Sequence, residues 1–216
     1  MTEMGVPPSS NTGAQNTYGG SMRACVDWLG FTFTDVTDPY FLIEFLDLSD
    51  CPFVEDSGQN GYRSCLRFGG ISVHYDGRKG MGVHVEMSGQ GCREYEALQR
   101  WNWQVLLQSV LSQNSNITRL DIAIDDFFGH FSIPYLWRLI RQGRCRSKFR
   151  RARTIEQAEI STGDTKGTTI YFGQPSSRVQ IRMYQKDFER MNAGFDLEPG
   201  VDVWNRIEIQ LRHEHA

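Results

Sequence analysis

The sequence lacks several features that would place the protein in a specialised class. No apolar run approaches the roughly 20 residues of a membrane helix, and the N-terminus has neither the basic start nor the apolar stretch of a secretion signal. The five cysteines are odd in number and form no CxxC pair, which argues against a disulfide framework or a zinc site. We therefore expect free thiols and a cytoplasmic protein without a membrane partner. The formal net charge of -3 also excludes a global positive charge, so any affinity for a polyanion has to come from local charge.

The length and composition of the chain indicate a folded protein with an N-terminal tail. The chain has 216 residues, of which 39% are hydrophobic, enough for one large domain or two small ones. Residues 1–22 are rich in Ser, Thr, Asn, Gly and Pro and are predicted to form a flexible tail. Residues 23–216 are predicted to form the functional domain. Because the last predicted strand ends so close to residue 216, the sequence raises the expectation of a domain truncated at its C-terminus.

The pattern of the chain predicts an α+β fold, with a largely antiparallel sheet, helices packed on one face and the functional residues on the other. The predicted element order is β-α-β-β-β-α followed by β-α-β-β-β-β. Asp38 and Pro39 predict the start of a short first helix. The apolar spacing over residues 95–111 predicts one long amphipathic helix.

Three stretches, 119–125, 178–186 and 206–212, alternate polar and apolar residues with period two, which predicts half-buried strands. One face of each is apolar. The opposite faces carry Arg119, Asp121 and Asp125 in the first, Arg182, Tyr184 and Lys186 in the second, and Arg206, Glu208 and Arg212 in the third. If the three strands share a sheet, a tyrosine, three acids and several cations share one exposed surface.

Tyr184 is the first candidate for chemistry. A phenol has a pKa near about 10 and is a weak nucleophile at neutral pH, unless cations favour the phenolate or a metal polarises the group that it attacks. Arg182 and Lys186 flank Tyr184 on the same strand face. A surface tyrosine between two solvated cations is the competing interpretation, and Tyr171 is a rival nucleophile.

Asp121, Asp125 and Glu208 are the candidate metal ligands. Hard divalent ions such as Mg²⁺ take oxygen ligands, often from one to three carboxylates. The competing interpretation pairs Asp121 with Arg119 or Arg206 in an ion pair.

A basic run free of acids extends from residue 138 to residue 153. We predict that its cations contact DNA phosphates, because so dense a run repels itself unless an anion relieves it; a solvated helix end and loop is the alternative. The predicted DNA-binding residues are Arg138, Arg141, Arg144, Arg146, Lys148, Arg150, Arg151 and Arg153.

Residues 118–126, 171–186 and 204–212 together resemble the Rep_trans replication initiation factors, and residues 26–29 and 80–91 resemble them more loosely. This family includes rolling-circle plasmid initiators, phage initiators and relaxases of some integrative conjugative elements. The resemblance implies a DNA strand nickase and strand transferase. In the family, the tyrosine of an Arg-x-Tyr-x-Lys strand attacks the scissile phosphate, stays linked to the 5′ end and leaves a free 3′-OH.

The resemblance also implies roles for individual residues. Tyr184 would be the nucleophile, Asp121 and Glu208 would bind Mg²⁺ or Mn²⁺ with Asp125 as a less certain third ligand, and Lys186 and Arg182 would stabilise phosphate charge. Some members have an acid where this chain has Gln210. The implied partner is origin DNA with a single-stranded or hairpin nick site. A host helicase is inferred from the family alone, and a homodimer is a candidate assembly.

Two other functions stay open from the sequence. One is a DNA-binding replication regulator without enzymatic activity. The other is a metal-dependent nuclease that uses activated water, with Tyr184 in a structural role.

Overall fold

The structure is a computed structural model that describes residues 22–197 and 199–212. Its elements are β1 (Met22–Phe33), α1 (Pro39–Phe45), β2 (Val54–Ser57), β3 (Ser64–Phe68), β4 (Ile71–Tyr75), β5 (Val83–Met87), α2 (Gly89–Ala97), α3 (Trp103–Leu111), β6 (Ser115–Asp126), α4 (Ile133–Arg141), β7 (Ala152–Ala158), β8 (Thr165–Phe172), β9 (Val179–Gln185), α5 (Lys186–Asn192) and β10 (Asn205–Arg212). Within this described part of the chain, no helix combines the length and the apolar character needed to cross a membrane. All five cysteines are free thiols, as predicted.

The strands are hydrogen-bonded in the order β2-β3-β4-β5-β1-β6-β10-β9-β8-β7. The pairs β2–β3, β3–β4, β4–β5, β1–β5, β7–β8 and β8–β9 are all antiparallel. This confirms the predicted α+β fold with a large antiparallel sheet. It also confirms that the three alternating stretches lie in one sheet, since β6, β10 and β9 are neighbours.

The chain divides into two compact units. Among the described residues, the N-terminal unit comprises 26–121 and 211–212, and the C-terminal unit comprises 22–25, 122–197 and 199–210. The strands β1, β6 and β10 contribute residues to both units. The predicted tail reaches residue 22, but Met22 already belongs to β1; the rest of the tail lies outside the described residues.

In the N-terminal unit, helices cover one face of the sheet. Leu29, Phe31 and Phe33 alternate along β1 and are buried with side chains from α1, α2 and α3. The residues between them, among them Gly30 and Thr32, point to the other face. The side chain of Asp38 caps α1 by accepting a hydrogen bond from the Tyr40 N–H, as the sequence predicted.

The prediction of one long helix over residues 95–111 is wrong, because two helices occupy this stretch. Gln99 has a φ of 53°, a left-handed conformation that ends a helix. The Asn102 side chain then accepts from the Val105 N–H and starts α3. Leu98 and Trp101 pack on the core across the break, so the apolar spacing continues although the helix does not.

In the C-terminal unit, the strand register fixes which side chains share a face. Phe172 pairs with Ile181 and Ile170 with Met183, and this apolar face packs on side chains of α4. In the alternate positions, Arg153 pairs with Tyr171, Tyr171 with Arg182, and Thr169 with Tyr184. Directly paired residues point to the same side of a sheet, so this polar face carries Tyr184.

The short helix α5 follows β9 directly and lies over β8 on the polar face. A Cβ added at Gly167 would meet the Phe188 Cβ at 3.0 Å, and the φ of Gly167 is +120°. A side chain at this position would therefore push α5 away from the sheet. This helix borders the face of Tyr184.

Candidate active site

The Tyr184 hydroxyl donates a hydrogen bond to Glu208 Oε1 at 2.7 Å. Tyr184 lies on β9 and Glu208 on β10, the neighbouring strand, and both belong to the C-terminal unit. Only 2% of Tyr184 is exposed. It lines a cleft of about 420 Å³ together with Tyr171, Arg182 and Glu189. The tyrosine is thus held by a carboxylate at the wall of a cleft, and is not a solvated surface residue.

Two cations stand beside the tyrosine ring, as the sequence predicted. The Arg182 guanidinium carbon lies 3.9 Å from the ring centroid, and Lys186 Nζ lies 5.5 Å from it. Arg182 also forms an ion pair with Glu208, with 3.4 Å between NH1 and Oε2. The structure therefore brings together Tyr184, Arg182, Lys186 and Glu208 out of the residues singled out in the sequence.

The electrostatic effect on the phenol is opposite to the one expected from its flanking cations. Burial, and then the charge of Glu208, raise the pKa of Tyr184 well above its ordinary value, although Arg206 and Arg182 act in the other direction. Cations over the face of an aromatic ring bind it through its quadrupole. The hydroxyl in this arrangement keeps its proton, and Glu208 is placed to receive it.

Glu189, on α5, is a site residue that the sequence reasoning missed. Its Oε1 accepts a hydrogen bond from Arg182 NH2 at 2.9 Å, and its Oε2 accepts one from Lys186 Nζ. Burial works to raise the pKa of Glu189, but the charges of Lys186 and Arg182 hold it below its usual range. The only signal in the sequence was the i, i+3 spacing of Lys186 and Glu189, which is equally typical of a surface helix pair.

Asp125 is fully buried and committed to a hydrogen-bonded ion network. Its Oδ1 accepts from Trp204 Nε1 at 2.6 Å and from Arg206 Nε at 2.6 Å. Its Oδ2 accepts from Arg23 NH2 at 2.7 Å and from Arg206 NH2 at 2.9 Å. Each Asp125 oxygen therefore accepts two hydrogen bonds, from the guanidinium groups of Arg23 and Arg206 or from the Trp204 indole N–H. This set of contacts fits a structural anion, and the role of Asp125 as a third metal ligand stays a prediction.

Asp121 belongs to the N-terminal unit, where its Oδ2 pairs with Arg119 NH2 at 2.5 Å. The competing ion-pair interpretation is therefore correct for Arg119. Arg206 forms an ion pair with Asp125. Across residues 22–197 and 199–212, no group of three or more His, Cys, Asp or Glu side chains is arranged as a metal centre. The roles of Asp121 and Glu208 as metal ligands stay predictions.

All eight cations of the basic run are exposed. They do not all lie on one side of the sheet, however. Arg138 and Arg141 are on α4, which covers the apolar face, whereas Arg153 lies on the face of Tyr184 through its pairing with Tyr171. The Arg153 guanidinium carbon is 4.8 Å from the Tyr171 ring centroid. The run thus extends from one face of the C-terminal unit to the other.

Tyr171, the rival nucleophile, shares the cleft of Tyr184. It pairs with Arg153 on one side and with Arg182 on the other. Among its contacts in the described structure, no hydrogen bond from its hydroxyl to a carboxylate is seen, in contrast to Tyr184. The local chemistry therefore favours Tyr184.

Comparisons with known proteins show which families the chain resembles. Residues 115–216 match the profile of Rep_trans, described as replication initiation factor, and residues 23–109 match the N-terminal domain of rolling circle replication initiation proteins. The chain is 33% identical over 228 residues to "Putative DNA relaxase NicK" of Bacillus subtilis (strain 168), and the match covers the whole chain and 64% of that protein.

A solved structure of a rolling circle replication initiator protein from Geobacillus stearothermophilus is also similar. The TM-score is 0.79 with 41% sequence identity, and the match covers 88% of this chain and 74% of that one.

Proposed function

Because the chain belongs to the Rep_trans family of replication initiation factors, we propose that it nicks one strand of origin DNA with Tyr184 as the nucleophile. The observation that carries this proposal is the 2.7 Å hydrogen bond from the Tyr184 hydroxyl to Glu208 Oε1. Glu208 is thus a proton acceptor next to a tyrosine whose ring is also in contact with Arg182 and Lys186. The activity would initiate rolling-circle replication or conjugative transfer, in the cytoplasm.

The proposed step is an in-line displacement at phosphorus. The Tyr184 oxygen forms a bond to the scissile phosphorus while its proton passes to Glu208 Oε1. The bond between phosphorus and the 3′ oxygen breaks, and that oxygen takes a proton from solvent to become a free 3′-OH. The 5′ phosphate stays on Tyr184, and attack by a 3′-OH on this phosphotyrosine reverses the step and rejoins the strand.

Arg182 and Lys186 are proposed to bind the phosphate oxygens. Fixed cations next to the reacting phosphate stabilise the charge that develops in the transition state. In the structure both cations form ion pairs with Glu189, so an incoming phosphate has to compete with that carboxylate. The substrate should be single-stranded or an extruded hairpin, because a duplex would not enter the cleft beside Tyr184.

A divalent cation, Mg²⁺ or Mn²⁺, is a separate part of the proposal. Glu208 and Asp121 are the residues that would hold it, and it would neutralise charge on the scissile phosphate. Asp125 is the less certain third ligand, because it is fully buried and accepts hydrogen bonds from Trp204, Arg206 and Arg23. Treatment with EDTA should abolish nicking, and added Mg²⁺ or Mn²⁺ should restore it. Full activity in EDTA would contradict this part. The host helicase and the homodimer stay predictions.

The decisive experiment compares Tyr184→Phe with Tyr171→Phe. The substrate is labelled single-stranded DNA from the element that encodes the protein, with Mg²⁺ present. We expect a covalent protein–DNA adduct in the wild type and in Tyr171→Phe, and none in Tyr184→Phe.

Each other result of this comparison identifies a different function. An adduct lost only in Tyr171→Phe would make Tyr171 the nucleophile. Cleavage without any adduct would indicate a nuclease that uses activated water. Binding without cleavage would indicate a DNA-binding regulator.

The role of Glu208 is tested by Glu208→Gln. General base catalysis contributes about 10²- to 10⁴-fold, so the nicking rate should fall by about that factor while DNA affinity stays close to wild type. Glu156→Gln on β7, where the side chain is exposed, is the matched control. Recovery of the Glu208→Gln rate at raised Mn²⁺ would assign the loss to the proposed role of Glu208 in metal binding and would contradict its role as proton acceptor. An unchanged rate would remove Glu208 from the mechanism.

A further inference from the structure

A groove of about 1000 Å³ opens in the N-terminal unit. It lies on the sheet face opposite the helices, because it is lined by Trp28, Gly30 and Thr32 of β1, whereas Leu29 and Phe31 between them are buried in the helical core. Its volume is at the upper end of small-molecule pockets, which span about 300–1,000 Å³. The groove is therefore large enough for a segment of polymer.

Two flat aromatic surfaces line this groove. The Trp28 ring is half-buried, and the Arg119 guanidinium carbon lies 4.0 Å from its centroid. The Tyr62 ring stacks on His84 with an interplanar angle of 17°, and its hydroxyl donates to the Met81 carbonyl at 3.0 Å. Both rings are thus held in place by contacts of their own, and ordering them on binding a ligand would cost little conformational entropy.

A glycine in the middle of β1 lets neighbouring side chains of the groove wall pack closely against the strand. A Cβ added at Gly30 would meet Thr118 Oγ1 at 2.8 Å and His84 Cε1 at 3.6 Å. Glycine weakens a strand interior and often marks a place where a ligand or another backbone approaches closely. At this point the side chains of Thr118 and His84 approach the buried backbone of Gly30 closely, and both line the groove.

The charged residues that line the groove favour binding of an anionic ligand. Arg119 and Arg212 are its cations, and Glu86 is its acid. Part of the charge of Arg119 is balanced by Asp121, but 28% of its side chain is exposed. Burial raises the pKa of the Glu86 carboxyl. Aromatic faces next to cations are the equipment of a single-stranded nucleic-acid site.

We propose that this groove binds unpaired DNA, with a base stacked on Trp28 or Tyr62 and a phosphate on Arg119 or Arg212. The inference rests on the proposed function for the identity of the polymer, since it extends the DNA contact from the nick site to a second unit of the chain. Bases offer their π faces only when a strand is unpaired, so duplex DNA should not enter the groove.

The first test maps the contact in the unaltered protein. A 5-bromodeoxyuridine-containing oligothymidylate without a nick site is crosslinked by ultraviolet light, and the attached peptides are identified by mass spectrometry. Adducts on peptides that contain Trp28 or Tyr62 are expected. Adducts confined to residues 138–153 or to the peptide of Tyr184 would overturn the proposal.

The second test measures affinity in the Tyr184→Phe background, where covalent chemistry cannot contribute. Stacking of a base on an aromatic side chain implies that Trp28→Leu weakens binding of the same oligothymidylate about 5- to 100-fold. Tyr40→Leu is the matched control, since Tyr40 is 62% exposed on α1, and it should bind as the parent does. Unchanged affinity in a folded Trp28→Leu protein, or equal competition by duplex DNA, would contradict the proposal.

The two proposals fail separately in these assays. If the protein crosslinks through Trp28 or Tyr62 but never forms a phosphotyrosine adduct, the groove proposal is supported and the nickase proposal is contradicted. If the protein forms the adduct but shows no crosslink in the groove, the nickase proposal is supported and the groove proposal is contradicted.

Discussion

Two acids that look alike in the sequence have different surroundings at the scale of single residues. Asp125 and Glu208 both occupy polar positions of alternating strands. Asp125 is fully buried and receives four hydrogen bonds, whereas the Glu208 side chain is 17% exposed and meets the Tyr184 hydroxyl. Alternation identifies the face of a strand, but the partner of each acid depends on the cross-strand register. The distinction between a structural and a chemical acid was therefore beyond the sequence.

Removal of the Asp125 charge should strongly destabilise the C-terminal unit. Asp125→Asn leaves Arg23 and Arg206 buried without their counter-ion, and loss of one partner of a buried pair costs about 3–5 kcal/mol. The free energy of unfolding in urea would measure this loss. Asp76→Asn is the control, since Asp76 pairs with Arg63 at the surface, and it should change stability little. A small effect at Asp125 would mean that water can enter the network.

The buried, uncharged imidazole of His84 should lower the free energy of unfolding as the pH falls, because it gains a proton more readily in the unfolded chain. Burial, and then the charge of His74, lower the pKa of His84 from 6.5 to about 4. The unfolded chain binds a proton at a higher pH than the folded one, so this contribution is fully present above about pH 6.5 and is lost as the pH falls toward about 4. At 1.36 kcal/mol per pKa unit the shift amounts to at most about 3 kcal/mol.

Urea unfolding of the wild type and of His84→Gln at several pH values between 7.5 and 4.5 measures this contribution. The variant should lose stability less steeply as the pH falls. Parallel pH profiles for the two proteins would assign the acid sensitivity to other groups.

At the scale of elements, strands were predicted better than helices. Residues 119–125, 179–185 and 206–212 fall in strands of one sheet, because period-two alternation is forced by a single buried face. Lys186, predicted at the end of the second strand, is instead the first residue of α5. The helix predicted over 95–111 is divided because Gln99 adopts a left-handed conformation, a local event that leaves the apolar spacing intact. The position of α5 beside Tyr184 could not be predicted, since it depends on how the chain turns after β9.

The helix α5 should restrain phosphate binding through Glu189. Glu189→Gln removes the carboxylate that pairs with both Arg182 and Lys186, so a phosphate meets one competing anion fewer, although Arg182 keeps its ion pair with Glu208. We expect about fivefold tighter binding of a nick-site strand in the Tyr184→Phe background, the equivalent of about 1 kcal/mol. Fluorescence anisotropy would measure it, with Glu156→Gln as the control. Weaker binding would show that Glu189 positions the cations and does not compete with the phosphate.

At the scale of the whole molecule, local charge matters more than net charge. The chain has a formal net charge of -3, yet eight exposed cations lie within residues 138–153. They extend from α4 on the apolar face to Arg153 on the face of Tyr184. A strand that binds along this run could therefore lead toward the cleft, which a scattered charge of the same sum would not achieve.

The salt dependence of DNA binding should report on this run. Each phosphate neutralised on a single strand contributes about 0.7 to the slope of log affinity against log salt concentration. Replacement of Arg144, Arg146 and Lys148 by Gln should thus make the slope shallower by about 2 if each contacts a phosphate. Titrations of labelled oligothymidylate at several salt concentrations measure the slope. Arg100→Gln is the control, because Arg100 pairs with Asp50 and lies outside the run, and its slope should match the wild type. An unchanged slope in the triple variant would mean that these three cations are a solvated loop and that DNA reaches Tyr184 along another surface.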